Sequence, residues 1–151
     1  MRIESPDGQS FELRVIGYQY PFGQEGWVVI EANVTYPLGS WHLRDPCMTA
    51  GEVASLALWL RALALGTLHR GGYSRATQFD FIEPNFTFTA EPDEAPVTLR
   101  ISFDLEAGEA LGDMFLEFPL RRDWLLETAA ELENQLAKLP PTAVWSGPDD
   151  A

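Results

Sequence analysis

His42, Asp45 and Cys47 lie within six residues and contain the side-chain types of a cysteine–histidine–aspartate site. Nucleophilic catalysis needs a base within hydrogen-bond reach of the thiol and a third group that orients the base. Here His42 is predicted to point off a strand, and Cys47 follows the Asp45-Pro46 break, so the spacing forces no contact. No Gly-rich oxyanion loop accompanies them, and Cys47 reads more simply as a small buried hydrophobe near a helix start. Zinc has less to work with: two His and one Cys in the whole chain, and no two ligands at a ligand-pair spacing. There is no Walker A loop, no strand–GxGxxG–helix unit and no GxSxG elbow; Gly71-Gly72 is only a flexible pair. Carboxylate pairs for acid–base work are too numerous in the second half to carry information, since one acid of a pair needs an environment that raises its pKa. The expectation is a chain with no catalytic residue, no metal and no cofactor.

The elements that would position these residues follow from hydrophobic period. Phe11, Leu13 and Val15 alternate with Glu12 and Arg14; Val28, Ile30, Ala32, Val34 and Tyr36 alternate with Glu31, Asn33 and Thr35. Such period-two stretches are half-buried strands. Tyr20–Gly26 and Pro37-Leu38-Gly39 punctuate them, and a short third strand covers Ser40–Arg44 before Asp45-Pro46 stops it. Thr49-Ala50-Gly51-Glu52 is a capping box, and Val53, Leu56, Ala57, Leu60, Leu63 and Ala64 recur behind it at helical spacing until Gly66. Residues 66–78 have no periodicity and read as a mobile connection.

The second half repeats the plan. Phe79–Ile82 and Asn85–Thr89 are strand-like and split by Glu83-Pro84; Val97–Leu105 alternates most cleanly of all; Met114–Phe118 is short. Asp123 is the predicted N-cap of a last helix whose buried stripe is Leu125, Ala129, Leu132, Leu136 and Leu139, ended by Pro140-Pro141. The reading is an α+β fold, β-β-β-α repeated twice, with an antiparallel sheet of about six strands and both helices packed on one face. Residues 1–140 form the domain and 141–151 a disordered tail. The open sheet face would carry Glu12, Arg14, Glu31, Asn33, Thr35, His42, Arg44, Thr87, Thr89, Arg100, Ser102, Asp104 and Glu117. Trp59 and Trp124 are placed in or at the edge of the core and Trp41 inward; Trp27 opens a strand as an exposed aromatic, a residue type favoured at interface hot spots.

Bulk properties narrow the function. A chain of 151 residues, 46% apolar and 22% charged, can bury a core without staples, has no apolar run long enough to span a membrane, and begins with no secretory h-region. Its single cysteine suits a reducing compartment, and the cytoplasm is the expected location. Residues 1–75 carry six Arg against seven Asp or Glu; residues 76–151 carry four basic against sixteen acidic groups, a net −12 of the total −13. That field repels phosphate backbones, so direct nucleic-acid binding is not expected. Two readings of the charge stay open: it keeps the protein soluble, or it steers a basic macromolecule onto the acidic half.

Several segments taken together resemble the WapI family of immunity proteins from bacterial polymorphic toxin systems. They are Ile16-Gly17-Tyr18-Gln19-Tyr20-Pro21, the Trp27–Val34 strand, Pro37-Leu38-Gly39-Ser40-Trp41, Asp45-Pro46-Cys47-Met48-Thr49, Glu52 with Leu56 and Trp59-Leu60, Phe81-Ile82-Glu83-Pro84-Asn85-Phe86-Thr87-Phe88, and Phe118-Pro119-Leu120. Two features depart from the pattern: Phe86 stands where Leu is expected, and Thr67–Ala76 is longer and richer in Gly and Arg. The resemblance spans residues 11–140 and implies a bacterial immunity protein, not an enzyme. Such a protein neutralises the toxic C-terminal domain of a co-encoded toxin, often a basic nuclease, by stoichiometric occlusion.

The partner-binding residues expected on this reading are Asp80, Glu83, Asp93, Glu94, Asp104, Glu106, Glu109, Asp113 and Glu117, with Trp27 beside them. Glu83 has a second reading, as the cap of a backbone turn at Pro84. The rival from another class is a small enzyme or small-molecule-binding domain whose pocket floor is the open polar sheet face, with His42, Arg44 and Arg100 converging on a carboxylate or phosphate.

Overall fold

The computed structural model describes residues 1–20, 26–68, 77–83, 86–103 and 114–139. Its elements are β1 (Arg2–Glu4), β2 (Ser10–Tyr18), β3 (Trp27–Tyr36), β4 (Gly39–Thr49), α1 (Ala50–Leu65), β5 (Thr77–Asp80), β6 (Phe86–Glu91), β7 (Val97–Phe103), β8 (Met114–Leu120) and α2 (Arg122–Ala137). The strands form two separate antiparallel sheets of four, in the orders β1-β2-β3-β4 and β5-β6-β7-β8, and each sheet is followed by one helix. This overturns the expected single sheet of about six strands and the β-β-β-α repeat.

Local sequence explains the miscount. β1 has three residues, too few for a period, yet Ile3 is fully buried between exposed Arg2 and Glu4 and pairs with Phe11. The two stretches flanking Glu83-Pro84 are neighbouring strands of a hairpin, with Phe79 opposite Phe88 and Asp80 opposite Thr87. β4 also runs through Asp45-Pro46 instead of stopping there. Ile30 pairs with Asp45 and Val28 with Met48, so Val29 faces two residues, Pro46 and Cys47. Proline has no N–H to give the ladder, and a bulge is where a strand tolerates that. Ile16-Gly17 makes a matching irregularity against Val29 from the β2 side.

The inner faces of the two sheets pack on each other through aromatic rings. Phe11 meets Phe86 and Phe88 edge-on, with centroids 5.9 Å apart in each pair, and Trp41 lies 5.7 Å from Phe103. Offset or edge-on packing suits the ring quadrupoles, and these large side chains contribute much of the burial. One core of buried residues runs through both sheets and both helices.

Each helix crosses to the other half. α1 is capped as predicted: the Thr49 hydroxyl accepts from the Glu52 amide at 3.1 Å, and a Glu52 carboxylate oxygen accepts from the Thr49 amide at 2.7 Å. The other oxygen of Glu52 accepts from the Ile82 N–H at 2.5 Å, tying the helix start to the second half. Further along α1, the Trp59 ring packs on Phe79 of β5. Its predicted apolar stripe is buried, and Gly66 ends it at φ 68°, the left-handed region that favours glycine. α2 returns the exchange: the Gln135 side chain accepts from the Val15 amide of β2 at 2.8 Å, and Glu131 lies 3.1 Å from the Met1 α-amine. Burial pushes that amine below its ordinary value, with Glu131 opposing the shift. The N-cap of α2 is Arg121, not Asp123, which sits in the first turn and accepts from the Trp124 amide. Leu125, Ala129 and Leu132 are buried as predicted; Leu136 and Leu139 are only partly so, and Thr128 joins the buried side. The expectations for Tyr20–Gly26, for the connection at 66–78 and for the tail 141–151 fall wholly or mostly on residues outside those described.

Candidate partner-binding surface

With two sheets packed inner face to inner face, the predicted polar surface becomes two surfaces on opposite outer faces. On the first sheet, register aligns Glu12, Asn33 and His42 in one row and Arg14, Glu31 and Arg44 in the next. These charges answer one another: Arg14 pairs with Glu31 and lies 3.8 Å from Glu12, Arg2 pairs with Glu4, and the Asn33 side-chain oxygen accepts from the His42 Nδ1 at 2.6 Å.

The second sheet presents Gln78 and Asp80 on β5, Thr87 and Thr89 on β6, Thr98, Arg100 and Ser102 on β7, and Phe115 and Glu117 on β8. Their short hydroxyl side chains leave a hollow of about 410 Å³, lined by Gln78, Thr87, Thr89, Thr98, Arg100, Ser102 and Glu117 among others. Asp80 accepts from Gln78 at 2.8 and 2.9 Å and from the Thr87 hydroxyl at 3.4 Å, which holds its carboxylate beside two of the lining residues. Arg100 pairs with Glu117 and its guanidinium carbon lies 4.2 Å from the centre of the Phe115 ring, so its charge has two partners on this face.

Of the expected site residues, Asp80 and Glu117 share this outer face. Glu83 is exposed just past β5, beyond the end marked by the Phe86–Phe103–Met114 register. Asp93 and Glu94 are exposed on the β6–β7 turn at the opposite end, about 17 Å away along β6 at the rise of a strand. Asp104, Glu106, Glu109 and Asp113 lie outside the described residues. Trp27 does not join them: it opens β3 in the other sheet, is half-buried, and pairs with Thr49. The turn at Ile82 is capped by Glu52, not by Glu83. Gln78, Thr98 and Phe115 were missed, although alternation through 77–80, 97–103 and 114–120 assigns each to the outward side.

The alternative constellations separate. His42 is exposed on the outer face of the first sheet, while Cys47 is buried, so they do not form a nucleophile–base pair. His42 and Arg44 stand on one outer face and Arg100 on the other, so the three cannot converge on one ligand. Among the described residues, no group of three or more His, Cys, Asp or Glu is arranged to hold a metal ion.

The model of the Immunity protein WapI-like family matches residues 2–140 of the chain. No curated protein matches it in sequence.

Proposed function

The chain belongs to the WapI-like family of immunity proteins, and from that premise we propose that it protects its producer by binding the toxic C-terminal domain of a co-encoded toxin. Binding is one-to-one and without turnover. The toxin domain is a nuclease. Such an enzyme must gather a phosphate backbone, and that task falls to Lys and Arg.

The observation that carries this reading is charge, a net −12 within residues 76–151. An acidic inhibitor reproduces the field of the nucleic acid, is drawn to the same cleft at an enhanced rate, and excludes substrate by standing in it. The encounter takes place in the cytoplasm, where the chain's single cysteine, Cys47, stays reduced. Among the described residues, no helix is long and apolar enough to cross a membrane.

The test is co-expression with the C-terminal domain encoded immediately upstream, then titration calorimetry at low and high salt. We expect a one-to-one complex that weakens as salt rises. Failure to form any complex removes the reading. A tight complex indifferent to salt keeps immunity and moves the contact to apolar side chains such as Trp27.

A further inference from the structure

We infer that the outer face of the β5–β8 sheet, and not that of the β1–β4 sheet, is the docking surface for a basic protein, which inserts an Arg or Lys side chain into the hollow lined by Glu91 and Glu117, with Asp80 beside it. This rests on the toxin-binding reading above and assigns it a surface.

The argument begins with what each sheet leaves unbalanced. The first outer face sets Arg2, Arg14 and Arg44 against Glu4, Glu12 and Glu31, in adjoining register rows. Its field therefore cancels within a few ångströms, and a charged partner gains little by approaching it. On the second outer face Arg100 is the one cation among the described residues, and it is already matched by Glu117. Asp80 and Glu91 remain in excess, with Glu83 and Glu94 exposed at the two ends. A low-lying floor with an excess of one sign of charge around it focuses that field outward.

Shape agrees with charge. Thr87, Thr89, Thr98 and Ser102 are short, so the floor lies below the rim made by the long side chains of Arg100 and Glu117. Hydroxyls and the Gln78 amide offer acceptors to an incoming guanidinium or ammonium without an obligatory charge to desolvate. Phe115, 45% exposed and backed by Arg100, supplies an aromatic edge of the kind enriched at binding hot spots. The ladder beneath is regular: β5 to β8 pair without a register shift, whereas β2, β3 and β4 carry bulges around Val29.

Two measurements test this on the full chain with its co-encoded toxin domain. In the first, Asp80→Asn combined with Thr89→Arg is compared with Glu31→Gln combined with Thr35→Arg, each checked for native unfolding behaviour. The β5–β8 variant is expected to weaken the complex by about tenfold or more at low salt and to flatten its salt dependence, while the β1–β4 variant stays within about twofold. The second needs no variant: hydroxyl-radical footprinting of the wild-type complex should shield Phe115 and leave His42 as reactive as in the free protein. Wild-type binding with equal loss in both variants, or with His42 shielded and Phe115 not, overturns the surface assignment alone. Absence of any wild-type complex overturns the toxin-binding reading, and this inference with it.

Discussion

The two sheets share a topology and differ in how they use their polar sides. On β1–β4 the outward charges alternate in sign across the register, and Arg14, Glu12 and Glu31 are neighbours. On β5–β8 the outward positions of the two central strands are hydroxyls except for Arg100 and Glu91, and further acids stand on the flanking strands. The first arrangement supports its own sheet, because cross-strand opposite charges stabilise the pair that carries them. The second contributes less to its sheet and leaves a field for something else to neutralise. A polar strand face is thus not one kind of surface, and the difference lies in whether its charges find partners within the sheet.

That comparison depends on the sheets standing back to back, so the strongest way to break it is to remove the rings between them. Phe11 is fully buried and touches Phe86, Phe88 and Phe103 across the interface. Phe11→Ala should cost about 3–5 kcal/mol of stability, read from urea unfolding midpoints at constant slope. A loss below about 1 kcal/mol would mean the sheets are held together elsewhere.

Next in size is the link between halves at Glu52. Glu52→Ala removes the reciprocal cap of Thr49 and leaves the Ile82 N–H without its acceptor, and should cost about 1–2 kcal/mol. Thr49→Ala removes the cap but keeps the bridge, so it should cost less. Equal losses would show that the bridge to Ile82 adds nothing to the cap.

This node also shows how far the sequence could be read. Thr49 and Glu52 were legible as a capping box because that motif is local, as were the stripe from Val53 to Ala64 and the alternation of most strands. Glu52 to Ile82 was not legible, since it joins residues thirty apart in sequence. Period two assigns Glu31 and Arg100 each to an outward side but does not say whether those sides belong to one sheet, and the single-sheet reading failed there. β1 is not legible because three residues hold no pattern, and Asp45-Pro46 reads as a stop because the bulge that accommodates Pro46 in β4 shows only in its pairing against Val29 of β3. Among the acids that charge singles out, Asp80 and Glu117 share one outer face. The same reading also gathers Asp93 and Glu94, which register places at the far end, and Trp27, which belongs to the other sheet. Counting acids finds a half of the chain; only pairing finds a face.

A finer probe sharpens the contrast between the faces themselves. Glu31 is 13% exposed beside Arg14, whereas Glu117 is 42% exposed beside Arg100. Water screens the second pair more, so Glu31→Gln should cost about 0.5–1 kcal/mol and Glu117→Gln less than about 0.5 kcal/mol. The comparison is made by thermal unfolding at low and high salt, where only the Glu31 effect should shrink visibly. Equal costs at low salt would remove the claim that the first face is the self-supporting one.

The smallest expected effect lies where the helices meet, and it is best read through pH. Arg61 of α1 holds Glu133 of α2 with two hydrogen bonds, at 2.8 and 2.6 Å, and this draws the Glu133 carboxyl below its ordinary 4.5. A depressed carboxyl binds fewer protons folded than unfolded, so stability rises with pH across the interval between the two values. The contribution of the pair is therefore complete above about pH 4.5 and is lost as pH falls through the folded value. Both partners are well exposed, so solvent keeps that contribution small. Glu133→Gln should lower the unfolding temperature slightly at neutral pH and not at all once the wild-type carboxyl is protonated, so the two acid-unfolding curves converge. Since neither residue lies on a sheet face, the toxin complex should keep its affinity and its salt dependence; a change in either would carry the docking surface from β5–β8 onto the paired helices.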